Sequence, residues 1–319
     1  MKIIVTGCAG FVGSSLVDRL LHVGHQVIGI DNFSTGNRHF LTDANENNNF
    51  TLVEGDLLND ALARTVISGV DIVYHMSANA DVRHGPSHTK KDLEQNTIVT
   101  YNVLEAMRRN KVKNIVFAST GSVYGDNPSI PTSERGPFPV QTSLYGASKL
   151  ACEGLISAFC EAFDIRSWIF RFVSLLGDRY THGHVYDFFK QLSKDPNVLH
   201  VLGDGTQKKS YLHITDCIDA IFIAVEKANS RVNIFNLGTN EYCTVRDSIG
   251  WISEELNVNP ELKYSGGSRG WIGDNPFIFL DTKQIRSLGW KASYSIRESV
   301  ICTVRYLRDN PWLFRERRE

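Results

Sequence analysis

The stretch GCAGFVGSSL at residues 7–16 decides the fold class, because it joins the apolar run KIIVT to the amphipathic run FVGSSLVDRLLHVG. Gly7, Gly10 and Gly13 are spaced three apart, although glycine inside a helix costs about 0.5–1 kcal/mol relative to alanine. The first N–H groups of a helix have no intrahelical partner and attract anions. The stretch therefore indicates a phosphate-binding turn; a tight turn that needs glycine only for its geometry is the alternative.

Strand-like and helix-like segments alternate from this turn to about Phe172. The runs FTLVEGD, DIVYH, NIVFAST and RSWIFRF are typical of buried strands, and helical patterns separate them. This alternation predicts an α/β fold with a doubly wound parallel sheet of the Rossmann type. We expect an NAD-binding Rossmann domain at 1–172, to which 210–238 returns. A smaller interleaved C-terminal domain at 173–209 and 239–319 is expected to bind the substrate.

Composition excludes several classes of partner. The 319 residues have a formal net charge of −1, which gives no field to attract nucleic acid or acidic lipid. No apolar run approaches the 18 residues of a membrane span, and no secretory signal pattern opens the chain. The six cysteines lack CxxC or zinc-ligand spacing, which indicates reduced thiols. We therefore expect a cytoplasmic protein without a nucleic-acid or membrane partner.

Asp31 supports the interpretation of the glycine turn. It ends the second predicted strand, 18 residues after Gly13. A carboxylate at this place accepts hydrogen bonds from both ribose hydroxyls of an adenosine and repels a 2′-phosphate. The pattern therefore favours NAD over NADP, although Asp31 could also simply begin the turn DNFSTG.

Tyr145 and Lys149, in the run YGASK, are candidates for acid–base chemistry because they lie one helical turn apart on one face. A tyrosine acting as a base near neutral pH needs its pKa lowered by about 3 units, or ~4 kcal/mol. The Lys149 ammonium and a cationic oxidised nicotinamide can together supply this stabilisation.

A second YxxxK pattern, Tyr186 and Lys190 in YDFFK, shows that spacing alone is a weak signal. The first pair follows the predicted strand NIVFAST, whose carboxyl end carries three hydroxyl residues, Ser119, Thr120 and Ser122. Ligands of open α/β sheets bind at such strand ends. The second pair lies beyond the sheet, where an ordinary helix surface explains it, so we assign catalysis to the first.

The ordered motifs GCAGFVG, DNFSTG, GDLLND, HMSANADV, FASTGSVYG and YGASK resemble those of the extended short-chain dehydrogenase/reductases. The resemblance continues through RFVSLLG, GDGTQKKSYLHITD and RGWIGD to about residue 290, and within the family it is closest to the UDP-glucose 4-epimerases. It implies bound NAD, a UDP-sugar substrate and a hydride cycle. The sugar 4-hydroxyl is oxidised to a ketone, the 4-keto sugar rotates, and hydride returns to the other face of the ketone.

The resemblance also implies roles for individual residues. Catalysis falls to Tyr145 as base, Lys149 and Thr120. The implied cofactor residues are Gly7, Gly10, Phe11, Val12, Gly13, Asp31, Asn32, Ser34, Thr35, Gly36, Asp56, Leu57, Met76, Ser77, Ala78, Asn96, Ser119, Tyr145, Lys149 and Phe172. The implied substrate residues are Thr120, Ser122, Ser174, His184, Val185, Lys209 and Arg269.

Departures from the family pattern leave the sugar open. Ser174 replaces a usual asparagine, Lys209 replaces a usual arginine, and Ala80 replaces a lysine found in some 4-epimerases; Cys8 replaces a common glycine. A UDP-glucuronate epimerase or decarboxylase and a non-catalytic sugar-nucleotide-binding protein are alternatives. A 4,6-dehydratase is disfavoured, because glycine and serine follow Thr120 where such enzymes carry Asp-Glu.

Three further expectations concern specificity, metals and assembly. Ile278 stands where family members restricted to glucose and galactose often carry a bulky aromatic residue, so we expect room for N-acetylhexosamines. His182 and His184 lack a nearby carboxylate or cysteine, so we assign no metal. Apolar faces on the helices near 95–109 and 146–163 predict a homodimer, unless they pack on the sheet.

Overall fold

The computed structural model describes residues 1–79, 85, 87–126, 129–136, 139–267 and 277–314. Its strands are β1 (Lys2–Thr6), β2 (Gln26–Asp31), β3 (Phe50–Glu54), β4 (Ile72–His75), β5 (Asn114–Thr120), β6 (Arg166–Phe172), β7 (Ser174–Leu176), β8 (Val198–Val201), β9 (Lys208–Lys209), β10 (Tyr211–His213), β11 (Val232–Leu237), β12 (Cys243–Thr244) and β13 (Glu261–Tyr264). Its α-helices are α1 (Phe11–His22), α2 (Thr42–Asn45), α3 (Asp60–Val66), α4 (Thr89–Asp92), α5 (Val99–Asn110), α6 (Leu144–Phe163), α7 (His184–Lys194), α8 (Ile214–Lys227), α9 (Val245–Leu256), α10 (Lys283–Ser287) and α11 (Ile296–Asp309). Short 3₁₀ helices span Arg38–Leu41, Gly121–Tyr124 and Pro311–Phe314, and a π-helical turn spans Leu93–Ile98.

Seven strands form one parallel sheet in the order β11-β6-β5-β4-β1-β2-β3. The run KIIVT forms β1, which is buried on both faces after its first residue, as expected for a strand covered by helices on both sides. The strand order reverses between β1 and β4, and ligands of such sheets bind at the carboxyl ends of the strands there. The predicted doubly wound parallel sheet is confirmed.

Helices cover both faces of this sheet. On one face α1 packs against α8, and on the other α3, α5 and α6 pack side by side. Each face has its own buried apolar cluster, one containing Leu16 and Leu20 of α1 and the other containing Leu104 of α5 and Ile156 of α6. Within the described ranges, no helix is long and apolar enough to span a bilayer.

The C-terminal part of the chain packs separately around a third apolar cluster. This cluster is built mainly from α7, α9 and α11, with Phe188, Phe189 and Val300 among its members. The small strands pair as β7 with β10, β8 with β13 and β9 with β12. Phe11, at the start of α1, packs against both this cluster and the first one. The domain boundaries given above stay a prediction, although β11 does lie beside β6 in the large sheet.

Candidate active site

The glycine turn between β1 and α1 is closely packed backbone. Gly7 has φ +66, a conformation that residues with a side chain rarely adopt. A Cβ atom at Gly13 would lie 2.0 Å from the Gly7 carbonyl oxygen, so no side chain fits there. Helix α1 then begins with no acidic residue in its first turn. The residues present therefore fit a pyrophosphate, because the first N–H groups of α1 have no intrahelical partner, this end of the helix dipole is positive, and Gly7 and Gly10 line the groove.

Asp31 closes the turn from the end of β2. Its Oδ2 atom accepts a hydrogen bond from Ala9 N at 2.9 Å and its Oδ1 atom accepts one from Phe33 N at 2.8 Å. Burial raises the pKa of this carboxyl, and the backbone donors oppose that shift. The donors aim the carboxylate into the groove beside the turn, as binding of a ribose diol requires.

A single groove runs from this turn along the carboxyl ends of the strands. Its lining residues are Gly7, Gly10, Ile30, Asp31, Asn32, Ser34, Thr35, Gly36, Gly55, Asp56, Leu57, Met76, Ser77, Ala78, Gln95 and Val99. Most of the residues that the sequence assigns to the cofactor are among them. Four lining residues were missed: Ile30, Gly55, Gln95 and Val99. Gly55 directly precedes Asp56 in the motif GDL and could have been found there. Asn32 donates from Nδ2 to Asp56 Oδ2 at 2.9 Å, which ties two walls of the groove together.

A buried hydrogen-bond chain fixes the segment 76–79 that follows β4. The Thr6 hydroxyl accepts from Ser77 Oγ at 2.6 Å and from the backbone N–H groups of Met76 and Ser77, both at 3.2 Å. The Thr6 hydroxyl therefore donates its own proton to His75 Nδ1, 2.7 Å away. Burial lowers the pKa of His75 to about 3, so the ring is neutral. It therefore donates from Nε2 to Thr100 Oγ1 at 3.0 Å.

Asn96 connects the same segment to helix α6. The sequence predicts an ordinary helix from residue 97 onward, whereas the structure has a π-helical turn before α5. The wider turn places Asn96 inside, where Oδ1 accepts from Asn79 N at 2.8 Å and Nδ2 donates to Ser148 Oγ at 2.9 Å. Asn96 thus positions the groove wall against the helix that carries Tyr145.

Tyr145 lies in the first turn of α6, which begins where Ser143 Oγ accepts a hydrogen bond from Gly146 N. The side chain is half-buried, and burial raises the pKa of its phenol to about 12. A hydrogen bond with Thr120 opposes the shift, whereas the charge of Asp92 adds to it. The surrounding protein groups alone therefore leave this phenol protonated at neutral pH.

Lys149 lies one turn further along α6 and is fully buried. Its Nζ atom is 4.2 Å from the centroid of the Phe117 ring, a cation–π contact that holds the ammonium under the site. Burial lowers the pKa of Lys149 to about 8. The group is thus still mainly charged at neutral pH and can stabilise a phenolate on Tyr145.

The hydroxyl groups at the carboxyl end of β5 and just beyond it face different surroundings. Thr120 Oγ1 donates to Ser122 Oγ at 3.2 Å and accepts from Ser122 N at 3.1 Å, and Thr120 also hydrogen-bonds with Tyr145. Ser119 differs from its predicted role at the cofactor, because its buried hydroxyl donates to Glu153 at 2.5 Å. Strand side chains alternate between the two faces of a sheet, so Ser119 points away from the side that Thr120 occupies. Phe172 is half-buried and pairs with Thr120 at the end of β6.

The predicted substrate residues of the C-terminal part are partly assembled. Ser174 is exposed in β7. His184 contacts Ser248 Oγ at 2.7 Å through Nε2 and the Tyr211 hydroxyl at 3.1 Å through Nδ1. Burial lowers the pKa of His184 to about 3, and the charge of Lys209 adds to this effect.

Two of the predicted substrate residues are not placed at the site by the described structure. Val185 differs from the prediction, because its side chain is completely buried in the third apolar cluster, where it contributes packing rather than a ligand contact. Arg269 lies outside the described residues. No group of three histidine, cysteine, aspartate or glutamate side chains within the described ranges could hold a metal ion.

The second YxxxK pattern serves packing. Tyr186 is buried, its ring stacks on Phe314 with centroids 4.9 Å apart, and its hydroxyl donates to the Leu313 carbonyl at 3.5 Å. This place is in the third apolar cluster, away from the groove.

Comparison with known proteins relates nearly the whole chain to one family. The NAD dependent epimerase/dehydratase family matches residues 3–238. A putative UDP-glucose 4-epimerase of Methanocaldococcus jannaschii is 31% identical over 314 residues, which are 97% of this chain and 99% of that protein. A crystal structure of a UDP-galactose 4-epimerase has a TM-score of 0.88 at 34% identity, covering 98% of this chain and 100% of that one. A crystal structure of a UDP-glucuronic acid 4-epimerase from Bacillus cereus, in complex with UDP-glucuronic acid and NAD, has a TM-score of 0.89 at 27% identity, covering 97% and 99%.

Proposed function

The chain belongs to the NAD dependent epimerase/dehydratase family, and from this membership we propose that it is an NAD-dependent 4-epimerase of UDP-hexoses, with UDP-glucose and UDP-galactose as its basic pair. The observation that carries the proposal is the single groove. It begins at the glycine turn and Asp31, where an adenosine diphosphate fits, and reaches the segment 76–78. Asn96 ties the end of this segment to the helix that carries Tyr145 and Lys149.

NAD, when bound, supplies hydride acceptance and return at one sugar carbon, together with a positive charge on its oxidised ring. The residues of this chain supply the proton chemistry. Tyr145 accepts the proton of the sugar 4-hydroxyl and returns it after the ketone has turned over, while Thr120 holds the reacting oxygen in line. Lys149 offsets the charge of the phenolate. Because the phenol pKa is about 12 with Lys149 and the other protein groups in place, the positive charge of the oxidised cofactor is also needed to make Tyr145 a base.

The same site geometry also suits the uronate alternatives, since a UDP-glucuronate epimerase or decarboxylase begins with the same oxidation at C4. The names of the chain's relatives favour the neutral hexose. Several relatives at 28–32% identity carry the name UDP-glucose 4-epimerase, whereas two relatives named UDP-glucuronic acid decarboxylase are 28% and 29% identical. Incubating the protein with a panel of UDP-sugars and separating the products by chromatography tests the assignment, because decarboxylation removes 44 mass units whereas epimerisation leaves the mass unchanged.

Ile278 is proposed to leave room for an N-acetyl group. A Cβ atom at Gly121 would lie 2.8 Å from Ile278 Cγ2, so this side chain lies directly against the short helix that follows Thr120. We expect wild-type protein to interconvert UDP-GlcNAc and UDP-GalNAc as well as the non-acetylated pair. Ile278→Tyr should lower the kcat/KM ratio of the acetylated to the non-acetylated pair about tenfold or more, because a clash discriminates strongly. An unchanged ratio would show that Ile278 does not shape the sugar pocket.

The assembly is proposed to be a homodimer formed through the outer faces of α5 and α6. Ile98, Tyr101, Leu144 and Phe163 are all between 39% and 46% exposed, although they are large and apolar. Two of them belong to an aromatic row, in which Tyr101 contacts Phe159 and Phe159 contacts Phe163. Sedimentation equilibrium should give twice the mass of one chain; a monomer at micromolar concentration would contradict the proposed dimer.

A cytoplasmic location is proposed because all six cysteines are free, five of them buried.

A further inference from the structure

A charged pair that the proton chemistry does not use is buried beneath the active site. Glu153 on α6 and Arg171 on β6 are only 4% and 8% exposed. Arg171 donates to the Glu153 carboxylate from Nη2 at 2.6 Å and from Nε at 3.0 and 3.2 Å. Desolvating such a pair costs several kcal/mol per ion, and well-packed apolar residues of similar size are often as stable. The presence of the pair therefore calls for a role other than stability.

The pair reaches the strand end that carries Thr120. Ser119 Oγ donates to the same carboxylate at 2.5 Å. Arg171 Nη1 donates to the Tyr124 hydroxyl at 2.8 Å, and Tyr124 ends the 3₁₀ helix that Thr120 caps. The carboxylate of Glu153 thus fixes the residue directly before Thr120, and the guanidinium fixes the residue four positions after it.

Glu153 also belongs to the electrostatic surroundings of Lys149. Tyr145, Lys149 and Glu153 follow one another at four-residue spacing on α6, so they share one face of the helix. Burial lowers the pKa of Lys149, and both the Cys152 thiol and the Glu153 carboxylate oppose that effect. The other groups facing the ammonium are the Phe117 ring on β5 and the neutral His75 on β4, neither of which is an anion.

We propose that Glu153 is a positioning residue for the epimerase reaction, which holds Thr120 in register through Ser119 and keeps Lys149 in its ammonium form beside Tyr145. Arg171 is the cationic partner of this buried carboxylate. The inference rests on the proposed function only for its kinetic readout, since the charge of Lys149 can be measured without any substrate.

The test is Glu153→Gln, which keeps the shape and an oxygen acceptor for Ser119 but removes the charge. An opposite charge nearby shifts a pKa by about 1–3 units, so the alkaline limb of the kcat–pH profile should move about one unit lower. The limb moves to lower pH because the Lys149 ammonium, without the Glu153 carboxylate nearby, loses its proton at a lower pH. At pH 8, a shift of one unit from a pKa of about 8 lowers the ammonium fraction of Lys149 about fivefold, so kcat should fall about fivefold, whereas KM for UDP-glucose and the NAD content stay within about twofold.

Because Glu153→Gln leaves Arg171 without its anion, the double variant Glu153→Gln/Arg171→Met serves as the stability control. The double variant should unfold at the wild-type melting temperature, but the alkaline limb of its kcat–pH profile should stay shifted. The proposal is overturned if the limb of either variant lies at the wild-type pH, or if the double variant regains wild-type activity together with the wild-type melting temperature.

A second readout is independent of turnover. The ¹³Cε resonance of Lys149, assigned by its loss in Lys149→Met, should titrate about one pH unit lower in Glu153→Gln than in wild type. If this shift occurs while no UDP-sugar is converted, the electrostatic role of Glu153 stands and the proposed function fails. If the resonance titrates at the same pH in both proteins, Glu153 does not hold the charge of Lys149.

Discussion

Tyr145→Phe is expected to reduce kcat on UDP-glucose by about 10²–10⁴-fold, the range that loss of a general base typically gives. The ring stays half-buried in the first turn of α6 and only the hydroxyl is removed, so packing should hardly change. NAD content and the melting temperature should therefore remain close to those of wild type. Steady-state kinetics, together with the absorbance of the released cofactor, measure both effects.

Tyr186→Phe is the matched control, because Tyr186 stands in the other YxxxK pattern. Its hydroxyl donates to the Leu313 backbone carbonyl at the long distance of 3.5 Å, in the third apolar cluster. Turnover by this variant should be within about twofold of wild type. Losing a hydrogen bond away from the active site lowers the free energy of unfolding by about 0.5–1.5 kcal/mol but leaves the catalytic groups unchanged. An inactive Tyr186→Phe beside an active Tyr145→Phe would mean that the wrong tyrosine has been assigned.

Gly10→Ala is expected to weaken NAD binding about 30-fold, or ~2 kcal/mol, while the protein still folds. The reason is the position of Gly10 in the groove, where the pyrophosphate must approach the backbone. Among the described residues, a Cβ atom there would come within 4 Å of the Gly7 carbonyl oxygen alone, at 3.2 Å, so it would project mainly into the cofactor's space. Wild-type protein should purify with about one NAD per chain, because the reaction regenerates the cofactor in every cycle, and the variant should purify nearly free of it.

Gly154→Ala is the control for the glycine substitution itself. Gly154 lies on α6, and a Cβ atom there meets nothing within 4 Å. Its NAD content should equal that of wild type. Denaturing each protein and assaying the supernatant gives the stoichiometry. Wild-type protein that releases no dinucleotide and prefers added NADP would contradict the role given to Asp31.

Local patterns in the sequence predict the sheet, the glycine turn with Asp31, and the pairing of Tyr145 with Lys149 on one helix. The alternation of apolar strands and amphipathic helices predicts the doubly wound sheet, because that pattern leaves few other ways to bury both faces of each strand. The glycine turn and Asp31 lie within one βαβ unit, so their spacing along the chain fixes their spacing in the fold. Tyr145 and Lys149 are likewise four residues apart on one helix.

Contacts between residues distant in sequence were beyond such reasoning. Thr6 and His75 are 69 residues apart, and nothing in either local sequence indicates that they hydrogen-bond. The π-helical turn before α5 was also missed, because one extra residue per turn is invisible in the apolar pattern of LEQNTI. Asn96 therefore could be assigned only by resemblance.

The C-terminal residues illustrate the same limit. His184 and Val185 are adjacent in HGHV and were both assigned to the substrate. In the structure the ring of His184 hydrogen-bonds with Ser248, 64 residues away, whereas Val185 packs in the third apolar cluster. Neighbouring helix residues point in different directions, and which of them faces the groove depends on how α7 packs against α9 and α11.

Hydride transfer to and from bound NAD is most directly tested by ¹H NMR of UDP-glucose incubated with the protein in D₂O. In this reaction the hydrogen on C4 leaves as hydride and returns from the cofactor without meeting solvent, while only the proton handled by Tyr145, which is on oxygen, exchanges. UDP-galactose should therefore form with protium fully retained at C4. Deuterium at C4 would show that epimerisation proceeds by proton abstraction from that carbon and would contradict the hydride cycle.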